Sequence, residues 1–207
     1  LDTDYFSSVD LSKLDVLILP NGSYSSMLKE SKLKEVQTWV RSGGTLIAME
    51  RALSSLEGKK GFELKAKKAK KDSTKTNLTP YNQLERKNAE NLITGSIFKN
   101  TVDTTHPLGF GYDNNYYTLK RSKNTFDYLK SGGNVTYTGK ESKPLAGFTG
   151  SKTVKPQSEA LLYGVQSMGG GKVVYMVENP LFRAFWENGK LFMANAVFML
   201  NSNELTE

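Results

Sequence analysis

The chain contains no cysteine, which excludes disulfide frameworks, thiolate-held zinc, iron–sulfur clusters and thiol nucleophiles. It contains one histidine, His106, too few for a zinc centre built on two or three imidazoles. Long apolar runs are also missing. The most apolar stretch, Phe192 to Leu200, is broken by Asn195 and falls far short of the roughly 20 residues that a spanning helix needs. Acidic residues are outnumbered, 21 Asp+Glu against 28 Lys+Arg, and the resulting +7 invites a nucleic-acid reading.

That excess sits in one place. Between Lys59 and Lys75 eight lysines stand against Glu63 and Asp72, so this window carries +6 of the +7 and the rest of the chain is nearly neutral. Phe62 is its one aromatic residue, whereas grooves for single-stranded nucleic acid interleave cations with stacking rings. We read it as part of a solvated, Lys-rich insertion at about 58–90 within one domain covering 1–207. Binding of nucleic acid or an anionic surface through Lys59–Lys75 is the alternative that charge alone supports. The chain opens on Leu-Asp-Thr-Asp rather than Met, and a piece of a longer protein is expected.

Periodicity gives the fold class. Asp15-Val-Leu-Ile-Leu-Pro-Asn-Gly22 is a short apolar run closed by Pro20 and Gly22, as in a strand buried on both faces. Apolar residues at near-helical spacing then predict an amphipathic helix from about Tyr24 to Ser42, stopped by Gly43-Gly44. Thr45-Leu-Ile-Ala-Met49 is a second buried strand, completing a strand–helix–strand crossover. The cadence recurs: Trp39-Val-Arg-Ser-Gly-Gly-Thr-Leu-Ile47 parallels Tyr128-Leu-Lys-Ser-Gly-Gly-Asn-Val-Thr136. Gly171-Lys-Val-Val-Tyr-Met-Val177 is a late strand, and Asn179-Pro180 predicts a helix start with Asn as cap. The expected architecture is an α/β, flavodoxin-like open sheet, mostly parallel, with helices on both faces.

Ligands of such sheets sit outside the carboxyl ends of the strands. Asn21, Glu50, Arg51, Asn179 and Arg183 fall there, and His106 is the one side chain that titrates near neutrality. Glu50 occupies a strand-to-helix corner, where a carboxylate can contact a ligand or simply rest on the next helix start. Arg183 and Glu187 are spaced as an i,i+4 pair on the last helix. A His before Pro is most simply a loop-orienting group.

The order Asp15–Gly22, amphipathic helix, Gly43–Met49 resembles the class I glutamine amidotransferase-like fold. Glutaminases of that fold carry a cysteine at the corner. Here Glu50 stands at that place without flanking glycines, so the resemblance implies the fold and denies Cys–His chemistry. Asn100-Thr-Val-Asp-Thr-Thr-His-Pro-Leu-Gly-Phe-Gly-Tyr112, Tyr116-Tyr-Thr-Leu119 and Gly171 through Trp186 to Asn195-Ala196 resemble the amidotransferase-like domain that follows the peptidase domain of large zinc carboxypeptidases (M14 metallopeptidase family) of Bacteroidetes. That resemblance implies a non-catalytic accessory domain with no cofactor of its own, zinc being held in the parent's peptidase domain. Its partners would be that peptidase domain and a peptide or glycan ligand, in a secreted, periplasmic or envelope setting. A weaker resemblance, through the His-Pro segment and the tyrosines after it, is to ThuA-like sugar-utilisation proteins. It implies instead a sugar-modifying or hydrolytic enzyme using Glu50 and His106.

Overall fold

In the computed structural model, residues 6, 8–67 and 78–200 are described. Val16–Leu19 (β1) and Thr45–Met49 (β2) pair in parallel, Val16 opposite Thr45, with Glu30–Arg41 (α1) crossing between them. The crossover forms because Leu33, Val36, Trp39 and Val40 make one buried stripe of α1. Gly44 is required where it stands, since a Cβ there would lie 2.2 Å from the Trp39 ring. The indole is fixed in turn by a 2.8 Å hydrogen bond from Nε1 to the Leu14 carbonyl. α1 starts at Glu30 rather than near Tyr24. The preceding Ser-rich stretch forms a turn closed by Leu28 N–H on the Tyr24 carbonyl, because serine hydroxyls compete with the helix for backbone groups.

The remaining strands are Ile93–Val102 (β3), Asn115–Lys120 (β4), Gly133–Tyr137 (β5), Pro144–Thr149 (β6), Leu161–Met168 (β7) and Gly171–Met176 (β8). The order is β1-β2-β8-β7-β5-β3-β4, with β6 also on β3. The α/β class and open sheet agree with the sequence. Parallel neighbours are confined to β1-β2-β8, and every pairing from β7 onward is antiparallel. At β7–β8 a hairpin produces this, for the chain between those two strands is too short for a crossover.

Both faces are covered. On one, Gln166 of β7 accepts from Glu63 N–H and donates to the Gly61 carbonyl, and Gln37 of α1 donates to the Lys60 carbonyl. On the other, Tyr163 packs edge-on to Phe192 of Lys190–Phe198 (α4), 4.9 Å between ring centres.

Two expectations are corrected. The stretch after Gly58 does not begin a solvated insertion: Phe62 and Leu64 are buried in the core, and Glu63 accepts hydrogen bonds from Ser131 and Gly132 N–H. Within the same window Tyr81–Ala89 is a helix (α2) with no buried residue. Lys68, Lys70, Lys71 and Lys75 lie outside the described residues. The segment from Asn179 is also not helical up to the interruption expected at Asn188-Gly189, although a helix does resume after it. The backbone turns left-handed at Arg183 and Ala184, separating a turn at Phe182–Ala184 from α4. Glu187 consequently pairs with Lys190 at 2.6 Å, not with Arg183. No described helix is long and apolar enough to cross a membrane.

Candidate functional site at the carboxyl edge

β2 and β8 are parallel neighbours with Met49 opposite Met176, so Glu50 and Glu178 leave the sheet side by side. Glu178 is almost fully buried. It is met by β4, whose inward positions alternate Tyr116, Thr118, Lys120. Lys120 Nζ donates to Glu178 Oε1 at 2.9 Å, Ser122 Oγ to the same oxygen at 3.0 Å, and Arg121 N–H to Oε2 at 3.3 Å. The residues just past β4 therefore fold over the ends of β2 and β8 as a turn.

Glu50 is held differently. Its backbone is left-handed (φ 50°), its side chain is 13% exposed, and the Arg121 guanidinium stands 4.0 Å away. Burial raises its carboxyl pKa, the neighbouring Glu178 charge adds to that, and Arg121 opposes both. Arg121 also lies over the Phe182 ring, 4.3 Å from its centre, and Arg183 approaches the same ring at 5.4 Å. Phe185 extends this group edge-on to Phe182 and is exposed.

The structure thus joins Glu50 to Arg183 through Arg121 and Phe182. Asn21 stands at the same edge, its Oδ1 accepting from Arg51 N–H at 3.4 Å. Asn179 does cap a turn, accepting from Leu181 N–H at 2.8 Å, but the turn is not the start of a long helix. His106 is elsewhere. It packs beside Gly133 at the start of β5 and feels the charge of Lys172 at the start of β8, away from the strand ends that lead to Glu50 and Glu178. Its Nδ1 accepts from Leu108 N–H at 3.0 Å, and burial lowers its pKa against the opposing pull of Asp103. Glu50 and His106 are not brought together for shared chemistry.

Sequence reasoning missed Lys120, Arg121 and Ser122. The available signal was a lysine falling in phase with Tyr116 and Thr118 on the inward side of an alternating strand. Chemically the edge presents cations, one incompletely paired carboxylate and an aromatic surface. Ser122 donates its hydroxyl to a carboxylate here, but that carboxylate, Glu178, is already paired with Lys120. Among the described residues no group of three or more His, Asp or Glu gathers as a metal site.

No family model matches the chain, and no curated protein matches it. Solved structures do. A cytoplasmic protein of Salmonella typhimurium, STM3548, aligns at TM-score 0.50 and 12% identity over 95% of this chain and 74% of its own. A ThuA-like protein of Bacteroides uniformis aligns at 0.49 and 12% over 93% and 72%. The cold-adapted β-galactosidase of Rahnella sp. R3 aligns at 0.46 and 13%, covering 91% of this chain, which spans only 23% of that enzyme. The likeness is one of fold. That fold is an α/β sheet of parallel and antiparallel strands with helices.

Proposed function

We propose that the chain is a non-catalytic binding domain whose site is the carboxyl edge around Glu50, Arg121, Phe182 and Arg183. One observation carries this. Of the four non-glycine residues with positive φ among the described residues, Glu50, Arg183 and Ala184 belong to this one group. Left-handed backbone costs roughly 1–2 kcal/mol at each such residue, and strain of this sort gathers where a ligand clamp is held ready. An arginine fixed on an aromatic ring keeps its fork of donors oriented for a partner's acceptors. A peptide or glycan offers such acceptors, together with donors for Glu50. The similarity of the His106 and Gly171–Trp186 segments to the domain behind the peptidase of zinc carboxypeptidases supports a place as accessory domain in such an envelope enzyme.

The test is binding to arrays of immobilised peptides and oligosaccharides, followed by titration of the best binder. Arg121→Ala is expected to weaken that binding about tenfold or more, with Glu50→Gln having a smaller effect in the same direction. Binding unchanged in both variants would place the site elsewhere. No binding to any peptide or glycan would reduce the domain to a packing role.

A further inference from the structure

The sequence holds two Asn-Gly pairs, Asn21-Gly22 and Asn188-Gly189. In such a pair the glycine amide nitrogen, with no side chain to shield it, can attack the carbonyl carbon of the asparagine side chain. The reaction needs a free glycine N–H, a free asparagine amide and a backbone able to turn on itself. Both asparagines are exposed, so access to water does not distinguish them. Their hydrogen bonds do.

Asn188-Gly189 is tied at every point. Asn188 Nδ2 donates to the Tyr117 carbonyl at 3.1 Å, and the Tyr112 hydroxyl donates to the Asn188 backbone carbonyl at 2.8 Å. Gly189 N–H donates to the Trp186 carbonyl at 3.2 Å. Gly189 is also buried against Pro180, so closely that a Cβ there would lie 2.2 Å from the Pro180 carbonyl oxygen.

Asn21-Gly22 lies in the bend that follows β1 and lacks these ties. Among the described residues, neither Gly22 N–H nor Asn21 Nδ2 has a hydrogen-bond acceptor. The hydrogen bond that Asn21 does make favours attack. Its Oδ1 accepts from Arg51 N–H at 3.4 Å, which draws electron density from Cγ, the carbon to be attacked. At that length the bond leaves the side chain free to turn.

We propose that Asn21-Gly22 is a spontaneous modification site of the folded protein. The Gly22 nitrogen, its proton taken by hydroxide, attacks Asn21 Cγ. The N–Cγ bond forms, the Cγ–Nδ2 bond breaks, and the departing nitrogen takes a proton from water and leaves as ammonia. Water then opens the succinimide ring at either carbonyl, giving aspartate or isoaspartate. Water is the net reactant and ammonia the net by-product. Either product puts a carboxylate at the carboxyl edge, beside Arg51 N–H. The reaction does not depend on whether that edge binds a ligand.

The intact chain is kept folded at neutral and at mildly alkaline pH, and the same chain is kept unfolded in urea. All are sampled over days by peptide mapping that separates asparagine, aspartate and isoaspartate. In urea the two pairs are expected to react at similar rates. In the folded protein Asn21 is expected to react at least about tenfold faster than Asn188, which must first break the hydrogen bonds that hold it, and to react faster at the higher pH. Gly22→Ala is expected to slow the reaction at Asn21; if that variant does not fold, the contrast between the two pairs in the unaltered chain decides. Asn21 persisting in the folded protein while it reacts in urea overturns the proposal. So does equal loss at both pairs in the folded protein, or loss at Asn21 that a folded Gly22→Ala variant leaves as fast as before.

Discussion

Two carboxylates stand at neighbouring strand ends, Glu50 after β2 and Glu178 just past β8, and the protein treats them in opposite ways. Glu178 sits on relaxed backbone and is surrounded by an ammonium, a hydroxyl and a peptide N–H. Glu50 sits on left-handed backbone with one guanidinium at the limit of ion-pair distance. The first arrangement is closed and structural. The second leaves acceptor capacity unspent beside a cation that is itself half free. Neighbouring positions of one sheet edge can therefore serve as foundation and as contact surface, and the number of satisfied lone pairs distinguishes them more clearly than charge does.

The largest effect should come from breaking the closed pair. Lys120→Ala leaves Glu178 buried without its counter-ion and is expected to cost about 3–5 kcal/mol in urea unfolding. The double variant Lys120→Met with Glu178→Leu should recover most of that loss. A single variant costing less than about 1 kcal/mol would show that Glu178 is no foundation.

Glu50 should respond in the reverse sense. Its folded-state pKa is raised, so the fold holds that proton more tightly than the unfolded chain does. Its ionisation therefore costs stability that is absent below about pH 4.5 and fully present above the raised value. Glu50→Gln is expected to stabilise the protein by about 1 kcal/mol or less at pH 7 and by nothing at pH 4. A gap of equal size at both pH values would exclude ionisation as its cause.

His106 extends the comparison with the smallest change. Its pKa is lowered, so its contribution is present above about pH 6.5 and is lost as pH falls through the folded value. Protonated Nδ1 cannot accept from Leu108 N–H. His106→Asn supplies an oxygen acceptor at the same cap and is expected to flatten stability between pH 7 and pH 5. A slope unchanged in that variant would assign the pH dependence to other groups.

Much of the scaffold was legible in the chain. β1, β2 and β8 are apolar runs bounded by Pro and Gly, and the Gly43-Gly44 stop was read correctly because a left-handed turn there needs glycine. The antiparallel half was less legible. Its strands are joined by irregular segments whose partners are set by tertiary closure, and nothing local places β4 against β3. The same holds for the site. Glu50 and Arg183 were found from position, but the group that links them, Arg121, lies at the end of another strand. The basic window misled because charge density hid Phe62 and Leu64, two apolar residues at alternate positions that anchor it.

β8 has a consequence for how the chain acquires its shape. Thr45 pairs with Lys172, so the strand that joins β2 to β7 is supplied more than a hundred residues after β2 itself. During synthesis β1 and β2 emerge as a two-strand piece that has no central neighbour until β8 leaves the ribosome. Closing so long a loop places this fold among slow, non-local folders, and until then the apolar flank of β2 is an open template for the wrong strand.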